Sequence, residues 1–143
     1  MMTNAIYMIV DRRFLPIGRA QALSLARIWN VDVHLFVEDA SVTSCAPVDD
    51  PRVYFHFNEI RANLPDGLPT SSKWPIVVFS RNYVPALLRS YHRLIYVDVD
   101  ILCLKADHSI WDIDLPSGIG AVRDVVHLNR APLDTGMQLQ DWL

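Results

Sequence analysis

Short apolar runs, each closed by charged or turn-forming residues, set the rhythm of this chain. The first, Ala5 to Val10 (AIYMIV), predicts a strand that ends abruptly at Asp11, Arg12 and Arg13. Its first polar groups therefore stand where a parallel strand delivers them to a cleft. Pro16 opens a stretch from Ile17 to Trp29 in which Ala20, Leu23, Ala26 and Ile28 fall near helical spacing, with Arg19 and Gln21 off that face. This predicts a helix packed on the sheet. Val31 to Val37 (VDVHLFV) alternates and then turns apolar, as a second strand does. His34 inside it reads as a packed or edge histidine, because no second His or Cys stands near it. A loop-like stretch from Glu38 to Arg52 leads to a third short strand, Val53 to Phe57 (VYFHF). The alternation is that of an α/β unit.

Asn58 to Trp74 holds one candidate helical turn, Glu59 to Leu64, and then the breakers Pro65, Gly67 and Pro69. Long loops over an α/β cleft often contact substrate. Ser80 to Ser90 (SRNYVPALLRS) predicts a short helix with Ser80 as N-cap and Val84, Leu87 and Leu88 on its apolar side. Arg81 would lie in its first turn. A helical turn over Ala106 to Trp111 and a short strand at Gly120 to Val122, ended by Arg123 and Asp124, complete the pattern. No repeat or linker divides the chain, so residues 1–143 are expected to form a single domain.

One run differs from the rest. In Arg93 to Leu104 (RLIYVDVDILCL), two carboxylates, Asp98 and Asp100, interrupt an otherwise apolar strand of the kind covered on both faces in a parallel sheet. Residues two apart in extended chain project to one side, so the pair could converge on a hard divalent cation, Mn²⁺ or Mg²⁺, with substrate phosphate completing its shell. With 14 Asp in the chain, an Asp-x-Asp triplet arises by chance roughly once. Asp112-Ile-Asp114 is such a decoy, suited to capping and turn formation after Trp111. The apolar setting distinguishes Asp98 and Asp100, because a buried charge is costly unless compensated. Aspartate-nucleophile phosphatases also place such a triplet after an apolar strand, but theirs usually opens the domain and continues into a small polar residue. Here Ile101 and Leu102 follow.

Composition narrows the function classes. A hydrophobic content of 51% over 143 residues suffices for a folded core. A net charge of −3, with basic residues scattered singly, gives no footprint for nucleic acid. Of the 13 basic residues, 11 are Arg, a side chain suited to bidentate phosphate recognition. Cys45 and Cys103 stand too far apart for a CxxC site, Cys103 as a small core residue and Cys45 as a loop thiol. Met1 to Val10 lacks the basic start of a signal peptide, and no apolar stretch approaches the ~20 residues of a membrane span. The expectation is a cytoplasmic protein, with peripheral membrane association left open.

The order of motifs resembles the retaining glycosyltransferases of family 8, which have the GT-A fold and use nucleotide-sugar donors. The matching segments are the strand ending in Asp11, SRNYVPALL with Arg81, YVDVDIL, and WDIDL followed by GAVRD. The tail LDTGMQLQDWL is similar to the family's Asn-Ala-Gly-Val segment. The resemblance implies a mostly parallel, Rossmann-like sheet flanked by helices. It further implies a hexose donor such as UDP-glucose or UDP-galactose and a glycan or lipopolysaccharide-type acceptor. Asp98 and Asp100 would hold the cation, Asp11 would meet the uracil ring and Phe14 would flank it. Arg81 would contact donor phosphates or sugar, Asp124 the sugar hydroxyls, and Asp134 would take the place of a family Asn. The family's third metal ligand is a His further downstream, and none of His34, His56, His92, His108 or His127 falls in its motif. The chain is accordingly expected to be the nucleotide-binding portion of a longer enzyme, incomplete at its C-terminus. The alternative is a non-catalytic nucleotide-sugar-binding remnant.

Overall fold

A computed structural model describes residues 3–65, 67 and 79–120 of the chain. Strand β1 (Asn4–Val10) leads into helix α1 (Leu15–Trp29), then β2 (Asp32–Val37) and β3 (Val53–Phe57). The short helix α2 (Val84–Leu87) precedes β4 (Arg93–Tyr96). All four strands run parallel in the order β3-β2-β1-β4. This is the α/β architecture expected of a Rossmann-like GT-A sheet. The chain divides into two compact units, Met1–Asp112 and Ile113–Leu143. The described part of the second is residues 113–120, with Leu115 to Gly118 forming a turn closed by a 2.8 Å backbone bond. No described helix is long and apolar enough to cross a membrane.

Helix α1 starts where Pro16 needs no backbone N–H partner and ends where Asn30 adopts the left-handed conformation (φ 54°). Its buried face is Gly18, Gln21, Ala22, Leu25, Ala26 and Trp29, a regular i, i+3, i+4 stripe. The expected face is corrected at most positions: Ala20 is exposed, Leu23 and Ile28 are half-buried, and Gln21 turns inward. Small residues decide the phase. At Gly18 a Cβ would sit 3.0 Å from Val10 Cγ1 and 3.3 Å from Leu35 Cδ1, so the glycine lets the helix approach β1 and β2. Gln21 reaches the Ile101 carbonyl with its amide nitrogen. Under α1 the core gathers Ile6, Met8, Val10, Val33, Leu35 and Val37.

The opposite sheet face packs Tyr7, Ile9 and Phe36 against Ile60, Val84 and Leu88. It also carries a polar chain. Tyr91 donates its hydroxyl to Asp32 at 2.8 Å, so its oxygen accepts from His34 Nε2 at 3.0 Å, and His34 Nδ1 accepts from His56 Nε2 at 2.9 Å. His34 is 5% exposed, as a packed histidine should be. Burial first, then the neighbouring His56, drives its pKa down to about 4 against the opposing pull of Asp32.

Three expectations around β4 are corrected. Ser80 is buried and belongs to a helical turn ahead of α2, whose N-cap position is Tyr83. Its polar atoms are thereby drawn inward instead of capping α2. Arg81 accordingly sits in the turn before α2. Strand β4 is half-buried along its length and is one of the two edge strands of the described sheet, β3 being the other. The apolar residues that follow it do not continue the strand: Leu102 is 75% exposed and Leu104 82%.

Candidate functional site at the β1–β4 switch point

The strand order makes the chain begin near the middle of the sheet, step outward through β2 and β3, and return to lay β4 on the other side of β1. That reversal is a topological switch point, and in open parallel sheets ligands bind outside the carboxyl ends of the strands at such points. Asp11 follows β1 directly. Val97, the residue after β4, still donates to the Tyr7 carbonyl at 3.0 Å, and Asp98 comes next. The two acids therefore leave neighbouring parallel strands at the same end of the sheet.

Beneath them lies an aromatic floor. Tyr7 and Tyr96 are register partners on β1 and β4, with ring centroids 5.3 Å apart. The Tyr7 hydroxyl donates to the Arg81 carbonyl at 3.0 Å, and the Arg81 guanidinium carbon lies 5.8 Å from the Tyr96 ring centroid. Tyr96 donates its hydroxyl to Asp98 Oδ1. Burial and then the Asp98 hydrogen bond hold the Tyr96 pKa above its ordinary value, so the phenol stays a donor at neutral pH. The structure thus brings Arg81 and Asp98 together through one tyrosine ring.

Asp11 shapes the loop into α1. Its Oδ1 accepts the backbone N–H groups of Arg13 (2.8 Å) and Phe14 (3.2 Å), while Oδ2 lies 3.7 Å from Arg13 Nε. Phe14 is 47% exposed, leaving ring surface open beside that carboxylate. At the end of β2, Glu38 is buried and accepts the Ile60 N–H at 3.0 Å. Burial raises its pKa, opposed by the Ile60 and Arg61 N–H groups. It anchors the residues after β3 to the same end of the sheet.

Asp98 and Asp100 lie outside regular strand, on a turn in which the Ile101 N–H returns to the Asp98 carbonyl at 3.3 Å, and both are exposed. The expected burial is not found: water solvates these carboxylates, and because β4 ends at Tyr96 strand alternation does not govern their directions. Asp98 is tied instead by its hydrogen bond from the Tyr96 hydroxyl, two residues back in the sequence. Two solvated carboxylates with oxygen-only donors suit a hard divalent cation. Among the described residues no group of three His, Cys, Asp or Glu side chains is placed to hold one. Asp124 and Asp134 lie outside the described residues.

This geometry defines the class of the fold, a parallel α/β sheet with a topological switch point between β1 and β4. The family model described as Glycosyl transferase family 8 matches residues 23–140, most of the chain. The chain belongs to that family, whose general activity is glycosyl transfer from a nucleotide-sugar donor to a glycan acceptor. The matched stretch contains Arg81, Asp98, Asp100, Asp124 and Asp134, whereas Asp11 and Phe14 precede it. No curated protein and no solved structure gives a match to the chain.

Proposed function

We propose that this chain binds a uridine diphosphate hexose, UDP-glucose or UDP-galactose, at the β1–β4 switch point for transfer with retention to a glycan. The observation that carries this reading is the joining of the Arg81 cation and the Asp98 carboxylate on Tyr96, within a family that transfers sugars from nucleotide donors. A diphosphate needs positive charge on its oxygens, and Arg81 offers a fork of N–H donors. Asp98 and Asp100 hold Mn²⁺ or Mg²⁺. When bound, such a cation supplies Lewis-acid stabilisation of the negative charge on the leaving diphosphate. Asp11, with Oδ1 committed to its own loop, turns Oδ2 from its exposed pairing with Arg13 to a base N–H, and Phe14 gives that base an aromatic neighbour. Asp124 and Asp134 are assigned to the sugar side of the donor.

The test is ligand-dependent stability. Uridine diphosphate should raise the melting temperature in Mn²⁺ and far less in EDTA, since a ligand that binds only the folded state stabilises it by mass action. Asp100→Ala should remove the Mn²⁺-dependent part, and Asp114→Ala should keep it. A native chain that shows no Mn²⁺-dependent shift would overturn the donor-site assignment.

A further inference from the structure

We infer that Tyr96 is a positioning residue that presets Asp98 and Arg81 together, so that cation binding and diphosphate binding are organised by one buttress. The inference rests on the donor-site reading above. Asp98 stands on an exposed turn, where its side chain would otherwise sample several rotamers. The Tyr96 hydroxyl occupies Oδ1, leaving Oδ2 as the oxygen free to meet a cation. The face of the same ring carries the Arg81 guanidinium. The ring itself is held from behind by Tyr7, whose hydroxyl secures the Arg81 backbone. One side chain of β4 thus bears on both charged partners of the proposed ligand, orienting a metal ligand as outer groups around metal sites do.

Tyr96→Phe removes the hydroxyl and keeps the ring. Tyr91→Phe is a matched control, because Tyr91 also donates to a carboxylate, Asp32, at the opposite end of the strands from the acid turn. The experiment is calorimetric titration of MnCl2 into the full chain saturated with uridine diphosphate, with melting temperatures of all three proteins measured without ligand. Tyr96→Phe should weaken Mn²⁺ binding about 10-fold, the scale seen for outer-group loss around metal ligands. Tyr91→Phe should stay within about 2-fold of the native chain. Equal Mn²⁺ affinity in Tyr96→Phe and the native chain would overturn the positioning role while leaving the donor site intact. Equal weakening in both variants would also overturn it, assigning the loss to the fold. A native chain that binds no Mn²⁺ with uridine diphosphate would remove the donor site and the buttress together.

Discussion

The centre of this sheet and its β4 side are built to different standards. At the centre β1 and β2 are buried from their second residues onward, sealed by α1 and by the Ile60–Val84–Leu88 cluster. At the β4 side the strand is half-buried throughout, and the chain leaves it for an exposed acid turn and exposed Leu102 and Leu104. Close packing supplies most of the stability a domain has, and binding groups need water and room. The difference teaches where each property resides: β1 and β2 supply rigidity, and the β1–β4 boundary supplies chemistry. Tyr7 and Tyr96 are the seam, rooted in the packed face and carrying polar atoms to the open end.

Substitutions can break or sharpen that contrast. The largest loss should follow Phe36→Ala, since Phe36 is fully buried and stacks on His56 at 4.2 Å; chemical denaturation should show a cost of about 3–5 kcal/mol. A loss this large at Leu102 instead would reverse the assignment of the two regions. Next comes pH. His34 has a folded-state pKa of about 4, below its ordinary 6.5, so the unfolded chain binds more protons between those values. Its contribution is present above pH 6.5 and is lost as pH falls toward 4. Denaturant melts at pH 7 and pH 5 should differ by about 2 kcal/mol from this group, and His34→Gln should flatten the slope. Glu38, held above its ordinary value by burial, acts in the opposite direction, its contribution being lost as pH rises through its raised pKa, so the comparison with His34→Gln at both pH values isolates the histidine.

Gly18→Ala should have a smaller effect. Crowding against Val10 and Leu35 costs about 1–3 kcal/mol and is partly offset by better helix propensity, leaving a net destabilisation of about 1 kcal/mol in thermal melts. The smallest change is expected for Leu102→Ser and Leu104→Ser, each within about 0.5 kcal/mol by denaturant melt. A stabilisation or loss well beyond that range would mean these side chains are covered in solution.

Much of the fold follows from short-range pattern. The runs AIYMIV, VDVHLFV and VYFHF become β1, β2 and β3 because β-branched and aromatic residues suit the pleated surface of a sheet. The turn expected at Glu59 to Leu64 appears as a 3₁₀ turn at Arg61–Asn63, and that at Ala106 to Trp111 as one at His108–Asp112. The parallel α/β class and the membership of family 8 were legible in the order of these segments. The packing phase of α1 was less so, because apolar residues occur on more than one side of it. Gly18 and Gln21 are buried for reasons that lie in Val10, Leu35 and the carbonyl of Ile101.

What the sequence by itself determined is local: which segments extend, where each meets its first polar residue, and that two acids stand two apart after an apolar run. Only the tertiary structure decided what those acids face. Strand order put Asp11 and Asp98 at neighbouring strand ends although they are far apart in the chain. It also laid Tyr96 beside Tyr7, under Arg81 and against Asp98. The turn after Val97 took both acids out of the sheet and into water. Periodicity reports which way a side chain points relative to its own backbone, whereas the partner it meets depends on which strands pair.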